Sequence, residues 1–448
     1  MEYNQSYVKV SIEIEENNWG IEEKDLFEVV IRKNKKRSFL FASKVLGKYL
    51  AVHPYTPQVV GMMLAEALKA KVENRNIASR MKELSQALKM PPNQNRFKLL
   101  KEEQLTLEEE TLFIGFAETA TALGHSVFSA FQDHCAYLHT TRVPIVEESP
   151  SLYFKEEHSH AVDHTCFIKN FEGFHIFKRI VLVDDEITTG KTALNLIRAI
   201  SEKTSIKEFA VLSLLDWRSL EDIKRYEQLE EELGIRIQSV ALLKGKLSVV
   251  NLQEMDNIKL NNEKIEWLEK KEEDDSKWEE IKVPLDQKIN LAIKGNDCRY
   301  SNFEFMERAT GRFGLTNKEH KLFEKKAYEI GSLLRKYRKY KNCLCLGTEE
   351  FIYWPCMIAS HMGEGVKFAC SARSPIVTLN QSGYAIKDAI CFENPEDTAL
   401  LSYIYNLEER AYEEVFWFLE RNICDTFKLS ICKALKARGI KEVHFVIL

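Results

Sequence analysis

Four apolar β-formers, Ile180-Val181-Leu182-Val183, run directly into two adjacent carboxylates, Asp184 and Asp185. Glu186-Ile187-Thr188-Thr189-Gly190-Lys191-Thr192 follows, and then a helical pattern. An apolar run this short, closed by charge and a Thr/Gly turn, reads as a strand buried on both faces, the habit of parallel sheets. Parallel strands need crossover connections, usually helices, so the segment directs the chain toward an α/β fold. Ligands of open α/β sheets sit outside the carboxyl ends of the strands, where Asp184 and Asp185 fall. The turn Thr188–Thr192 offers backbone N–H groups and hydroxyls at a helix N-terminus, a natural seat for a phosphate. Ionised carboxylates accept from hydroxyls, so a neighbouring pair suits a diol. Together these residues predict a pocket for a sugar with a free diol and a phosphate. The bland alternative is a buried strand that ends in a charged loop. A nucleotide-binding P-loop is excluded, because its first glycine would fall at the position of Asp185.

Similar short runs at Thr111–Gly115, Ala136–Thr140, Phe209–Leu215 and Ile235–Leu243 predict further strands. In Thr192–Glu202, Ala193, Ile197 and Ile200 share one face, as in an amphipathic helix. Strands alternating with helices predict a mainly parallel sheet flanked by helices. Ahead of it, Tyr7–Glu13 alternates like an edge strand and Pro57–Lys69 is helical; this region is expected to form a hood over the sheet. Pro91-Pro92-Asn93 marks a lesser break. The nearly all-charged Leu268–Glu280 separates an expected domain at residues 1–282 from a smaller α/β domain at 283–448.

The Asp184-Asp185 strand and Thr188–Thr192 turn resemble the signature of type I phosphoribosyltransferases. The resemblance implies that Asp184 and Asp185 hold the ribose hydroxyls of phosphoribosyl pyrophosphate. Thr188, Thr189, Gly190, Lys191 and Thr192 would hold its 5′-phosphate. One position departs: Glu186 stands where the pattern usually has an apolar residue. Gly115-Phe116-Ala117-Glu118-Thr119-Ala120-Thr121, with Phe39–Lys48, resembles the subfamily found in tellurite-resistance-associated gene clusters. In type I enzymes the loop after the first strand binds pyrophosphate, so Gly115, Phe116, Ala117, Glu118 and Thr119 take that role. A plain strand–helix turn with a capping Thr is the alternative.

Arg142, at a strand end, could clamp pyrophosphate bidentately or serve as an ion-pair partner. Residues 147–174 form a long segment holding Glu157, His158, His160 and His164. The resemblance makes it a flap that excludes water, with Glu157, His158 and His160 as candidates for proton transfer. An incidental set of loop histidines is the alternative; the spacing of His158, His160 and His164 matches no standard zinc motif. Trp217 could stack on a base or pack at the sheet edge. Asp216 could hold a magnesium-bound water, and Asp184 and Asp185 are the other candidate Mg²⁺ ligands.

The second half repeats a phrase. Gly347-Thr348-Glu349-Glu350 follows an apolar strand, and a second strand, Val366–Cys370, ends in Ser371-Ala372-Arg373-Ser374-Pro375-Ile376. The first half reads Gly115 to Thr140-Thr141-Arg142-Val143-Pro144-Ile145, with Gly-to-Arg intervals of 27 and 26. No Asp-Asp with a Thr/Gly turn follows. The wording around Arg373-Ser374-Pro375 resembles the domain that accompanies the tellurite-associated enzymes. Gly347, Glu349, Glu350, Arg373 and Ser374 are candidates for a second anionic-ligand site; an internal ion pair of Arg373 is the alternative.

A formal net charge of −5 argues against a general nucleic-acid binder, and the basic run Arg335–Lys341 reads as a helix C-terminus. No apolar stretch suits a membrane span, and ten scattered cysteines without a secretory signal fit a cytoplasmic protein. Oligomeric state is open, with a homodimer as one option. The expected activity is Mg²⁺-dependent transfer of ribose 5-phosphate between phosphoribosyl pyrophosphate and a nitrogenous base or base-like acceptor, in either direction. The rival readings are a non-catalytic sensor of phosphoribosyl pyrophosphate and a scaffold in a stress-response system.

Overall fold

The computed structural model describes residues 2–4, 8–32, 34, 37–73, 75–143, 145, 152–154, 164–167, 175–251, 263–264, 277–284, 288–290, 305–395 and 397–448. In chain order the first part contributes β1 (Glu2–Asn4), β2 (Val8–Glu16), α1 (Glu23–Leu26), β3 (Phe27–Ile31), β4 (Phe39–Ser43), α2 (Thr56–Glu73), α3 (Ala78–Lys89) and α4 (Gln94–Glu102). Then come β5 (Thr111–Gly115), α5 (Ala120–Phe128), β6 (Cys135–His139), β7 (Leu152–Phe154), β8 (His164–Cys166), β9 (Arg179–Ile187), α6 (Lys191–Ser201), β10 (Glu208–Asp216), α7 (Leu220–Leu233) and β11 (Arg236–Asn251). The second part holds β12 (Glu263–Lys264), β13 (Glu279–Lys282), β14 (Lys288–Asn290), β15 (Phe305–Glu307), β16 (Leu315–Thr316), α8 (Asn317–Tyr337), β17 (Cys343–Gly347), α9 (Tyr353–Ala359) and β18 (Val366–Cys370). It ends with β19 (Ala389–Glu393), β20 (Leu401–Tyr405), β21 (Glu414–Leu419), α10 (Asp425–Lys436) and β22 (Glu442–Ile447).

The main sheet runs β1-β2-β11-β10-β9-β5-β6-β16. Its five central strands are parallel, and Ile180, Val181, Leu182 and Val183 of β9 are fully buried because helices cover both faces. The fold is thus the expected mainly parallel α/β sheet with an added α/β part. Chain order reverses between β5 and β9, which makes the crevice at their carboxyl ends the switch point of the sheet.

The second sheet, β13-β22-β21-β17-β18, is parallel throughout. It repeats the arrangement, with β17, β18, β21 and β22 taking the places of β5, β6, β9 and β10. The two sheets interlock around residue 282: β13 pairs with β22 of the second sheet, while β16 returns to β6 of the first. One continuous apolar cluster joins them, so α5 and α9 pack together and His125 stacks on Tyr353 at 3.6 Å between ring centroids. No helix among the described residues is long and apolar enough to cross a membrane, and the described cysteines are all free thiols.

Candidate active site

β9 delivers Asp184 and Asp185 to the switch point, and the chain turns at once into α6. Gly190 makes that turn with φ +73°, a left-handed conformation open to glycine. Its second constraint is space, since an added Cβ would lie 2.3 Å from Tyr226 Oη, which donates to the Gly190 carbonyl at 3.0 Å. Gly190, the N-cap of α6, has no side chain to cap it; Lys191 N–H donates to Thr189 Oγ1 at a long 3.5 Å, and the first turn of the helix opens onto Thr188, Thr189, Lys191 and Thr192. These four residues are half-buried, and Ala193, Leu196, Ile197 and Ile200 hold the helix on the sheet. Asp184 Oδ1 accepts from the Asp185 N–H at 2.9 Å. Burial pushes the Asp185 carboxyl above its usual range and Glu186 adds to this, while Asp184 and the Lys48 ammonium pull the other way.

Glu186, the departure from the family pattern, has a partner. Arg37 grips it bidentately at 2.6 and 3.1 Å and lies over the rings of Phe39 and Phe41. The β3–β4 hairpin is thereby tied to the site strand; the segments expected to form a hood lie elsewhere, β2 within the main sheet beside β11 and α2 against α5, β10 and β11, so the hairpin is the part of the N-terminal region that covers the site. It also covers Trp217, which is 7% exposed and packs on Phe41 and Phe27 with centroids 5.3 and 6.3 Å away. A base has no free face of Trp217 to stack on in this arrangement, and the packing alternative describes what is observed. Asp216 needs a similar correction as a metal ligand: both its oxygens accept from the Arg218 guanidinium, at 2.9, 3.2 and 2.6 Å.

The loop after β5 is built into the sheet ends. Phe116 N–H donates to the Val183 carbonyl at 3.1 Å and Ala117 N–H to Thr140 Oγ1 at 2.8 Å. The space left by Gly115 is filled by protein, because a Cβ there would meet the Ala120 carbonyl at 2.5 Å. It serves close strand–helix packing rather than approach of a ligand. Thr119 makes no capping bond to α5. The Glu118 side chain is ion-paired with Lys48, and Arg142 Nη1 lies 3.8 Å from it.

Glu157, His158 and His160 lie outside the described residues. The stem that carries them is an antiparallel hairpin of β7 and β8, anchored where Thr141 and Thr165 exchange backbone hydrogen bonds at 2.9 and 3.1 Å. Among the second-domain candidates, Glu349 is 1% exposed and accepts from Arg373 Nε at 2.6 Å and from Ser402 Oγ. The internal ion pair is therefore present. Arg373, with Lys48, outweighs burial and holds the Glu349 carboxyl below its usual range. Gly347 again fits a tight approach, with Phe351 O 2.7 Å from a Cβ, and the Ser374 carbonyl accepts from Tyr405 Oη at 2.6 Å. Glu350 crosses to the first sheet, accepting from Thr141 Oγ1 at 2.6 Å and from Arg142 N–H at 2.7 Å. The basic run ends α8 as expected, and Arg338 spends its guanidinium on the carbonyls of Met362, Tyr340, Lys341 and Glu364.

Arg37, Lys48 and Tyr226 were not among the sequence-derived site residues. Lys48 closes the Phe39–Lys48 stretch that carries part of the resemblance, but its burial beside Glu118 depends on a contact 70 positions away.

Residues 26–246 match the family model described as phosphoribosyl transferase, and residues 309–435 match that of a TRSP domain C-terminal to it. The first part of the chain is thus similar to a phosphoribosyl transferase domain and the second to the TRSP domain that follows it. Among solved structures it is similar to the adenine phosphoribosyl transferase of Trypanosoma brucei, crystallised with AMP, pyrophosphate and ribose-5-phosphate. That match has 18% identity and a TM-score of 0.22 over 30% of this chain and 57% of the other. The adenine phosphoribosyltransferase of Leishmania donovani is 14% identical with a TM-score of 0.28, over 49% and 77%. That of Giardia lamblia, complexed with 9-deazaadenine, is 16% identical with a TM-score of 0.22, over 35% and 83%. No curated protein matches the sequence.

Proposed function

We propose that this chain is a type I phosphoribosyltransferase, joining ribose 5-phosphate from phosphoribosyl pyrophosphate to a nitrogenous base or base-like acceptor, or running the reverse. The observation that carries the reading is the Asp184-Asp185 pair at the switch point, with the glycine-capped N-terminus of α6 just further along the chain. The turn and helix N-terminus receive the 5′-phosphate, which fixes one end of the sugar. Asp184 and Asp185 accept from the two ring hydroxyls and fix the other. Displacement at the anomeric carbon builds positive charge on the ring, and the same carboxylates stabilise that charge without reorganising. The departing diphosphate leaves toward the loop after β5 and Arg142.

Mg²⁺ fits the donor set. The carboxylates are hard oxygen ligands, few in number, and this ion keeps several waters and shares substrate oxygens. Asp184 and Asp185 would hold it, and it would neutralise charge on the leaving group. Asp216 is left out of this set, since its oxygens are engaged by Arg218. The flap residues Glu157, His158 and His160 keep their assignment to proton transfer with the base. The acceptor enters from the hood side, where the β3–β4 hairpin is tied down by Arg37 and Glu186. The tellurite-associated subfamily, resembled through Gly115–Thr121 and Arg373-Ser374-Pro375, suggests a nucleotide-like product of a multi-enzyme pathway.

The test is pyrophosphate release when the protein is mixed with phosphoribosyl pyrophosphate, Mg²⁺ and a panel of bases. Release with at least one base is expected. Saturable binding of phosphoribosyl pyrophosphate with no release across the panel would favour the sensor instead.

A further inference from the structure

Lys48 lies in the turn after β4, 2% exposed, and is neither part of the diol pair nor of the phosphate turn. Its ammonium pairs with Glu118 in the loop after β5, and Arg142 approaches the same carboxylate from the end of β6. Burial alone pulls a lysine down, yet the carboxylates of Glu118 and Glu349 overcome this and leave Lys48 above its ordinary value. One ammonium therefore sits between the pyrophosphate loop and the second domain.

A buried ion pair is a poor stabiliser: desolvating two charges costs several kcal/mol, and apolar side chains of similar size often serve the fold as well. The purpose of this one is better sought in what else could occupy it. A carboxylate bracketed by a lysine and an arginine, at the carboxyl ends of two parallel strands beside the switch point, stands in the place and charge environment of a phosphate oxygen.

We propose that Lys48 is a pyrophosphate-binding residue and that the Glu118 carboxylate is its internal placeholder, which yields the Lys48–Arg142 bracket to the diphosphate of the substrate. The proposal rests on the transferase reading and deepens it. Substrate oxygens and Glu118 then compete for the same two cations. Glu118 lowers affinity for the leaving group and so favours its release after transfer. Glu349 stays with Arg373 and Ser402 throughout, and holds Lys48 in its charged form from the second domain. That domain thereby takes part in the site's electrostatics without touching the sugar.

The experiment is calorimetric titration of the full chain in Mg²⁺ buffer with two separate probes, inorganic pyrophosphate and ribose 5-phosphate. Lys48→Met should weaken pyrophosphate about tenfold or more, the worth of one charge-assisted hydrogen bond, and leave ribose 5-phosphate unchanged. Lys48→Arg should recover most of the loss. Glu118→Gln, nearly isosteric and so the variant safest for folding, should tighten pyrophosphate about tenfold on the same scale. Unchanged or weaker pyrophosphate binding in Glu118→Gln overturns the proposal, as does equal loss of both probes in a folded Lys48→Met. Wild-type protein that binds ribose 5-phosphate but not pyrophosphate overturns it and spares the transferase reading; failure to bind either probe removes both.

Discussion

Replacing Glu350 should loosen the first domain's site from the second. The side chain is 3% exposed and accepts from Thr141 Oγ1 and Arg142 N–H, with Arg312 Nη2 a further 3.6 Å away. Each hydrogen bond to a buried carboxylate contributes about 1.5–3 kcal/mol, and removing the acceptor leaves its donors unsatisfied. Arg312 is not stranded, because Glu420 holds it at 2.9 and 3.2 Å. Glu350→Ala should therefore destabilise by about 3–5 kcal/mol, the range for a broken buried network and a large share of the stability of a typical domain. Glu350→Gln keeps the shape and some of the bonding, so it should lose about half as much. The pH dependence follows from the charge. Burial would raise this carboxyl, but Arg312, His139, Thr141 and the Arg142 N–H more than reverse it, so the folded value lies below the ordinary 4.5. A depressed acid stabilises fully above its unfolded value and loses that contribution as pH falls through the folded one. The gap between wild type and Glu350→Ala should stay constant at neutral pH and close below the ordinary glutamate value. Urea unfolding followed by circular dichroism measures the gap, and hydrogen exchange of the peptide containing Arg142 locates it. An alanine variant with the wild-type midpoint and an unchanged Arg142 peptide would refute the reasoning.

Asp185→Asn should cut turnover about 100-fold or more by removing a preorganised charge. Its melting temperature should hold or rise, because burial disfavours the Asp185 anion; steady-state kinetics with scanning calorimetry checks both, and normal kinetics would refute the diol role. Gly190→Ala forces a φ of +73° on an L-residue, at about 1–2 kcal/mol, and drives a methyl into Tyr226. It should lose ribose 5-phosphate affinity in calorimetry as well as thermal stability, and an intact affinity would contradict the phosphate assignment. Arg37→Ala removes a partly exposed pair worth about 1 kcal/mol at most, so it should barely shift melting but raise KM for the acceptor. An unaltered KM would mean that the hood does not shape the acceptor site.

The β9 strand and α6 were legible because their signals are local: a doubly buried apolar run, a glycine where the backbone needs a positive φ, and an apolar helix face at the right period. Where partners are distant in sequence, the reading stopped short. Ile235–Leu243 continues to Asn251 as β11, since it leaves β10 at Lys244 and pairs onward with β2 across more than two hundred positions. The described part of the alternating segment, which lies in β2, is not the sheet's edge, because β1 pairs along β2. Trp217 and Asp216 look like binding groups at a strand end, yet a hairpin nearly two hundred residues upstream buries the first and Arg218 folds back on the second. Propensity and pattern carry no record of such contacts.

The repeated phrase has a physical counterpart that explains why only one of the two sheets carries the candidate pocket. Thr140 N–H donates to the Gly115 carbonyl at 3.0 Å, and Ser371 N–H donates to the Gly347 carbonyl at 3.1 Å. Ala117 N–H donates to Thr140 Oγ1, and Glu349 N–H, two residues past its own glycine, donates to Ser371 Oγ at 3.1 Å. The loops are thus built on one plan, down to which hydroxyl holds which amide. The plans part at the next strand. Gly115 pairs with Val183, so Asp185 lies two residues past that register; Leu346 pairs with Trp417, which puts Glu420 at the matching position in the second sheet. Glu420 is bound by the Arg312 guanidinium and by the Glu307 N–H at 3.0 Å, all of them buried. A carboxylate neutralised by a rigid internal fork, with three of its roughly four acceptor sites taken, cannot grip both hydroxyls of a diol. The second sheet therefore keeps the scaffold and gives up the pocket, and its loop acids turn to the first domain instead, Glu350 to the Thr141 hydroxyl and the Arg142 N–H and Glu349 to the charge of Lys48. If that division is right, Glu420→Gln should disturb stability through Arg312 while leaving sugar-phosphate affinity at the wild-type level. A selective loss of ribose 5-phosphate binding in a normally stable Glu420→Gln protein would mean that the second switch point also holds ligand.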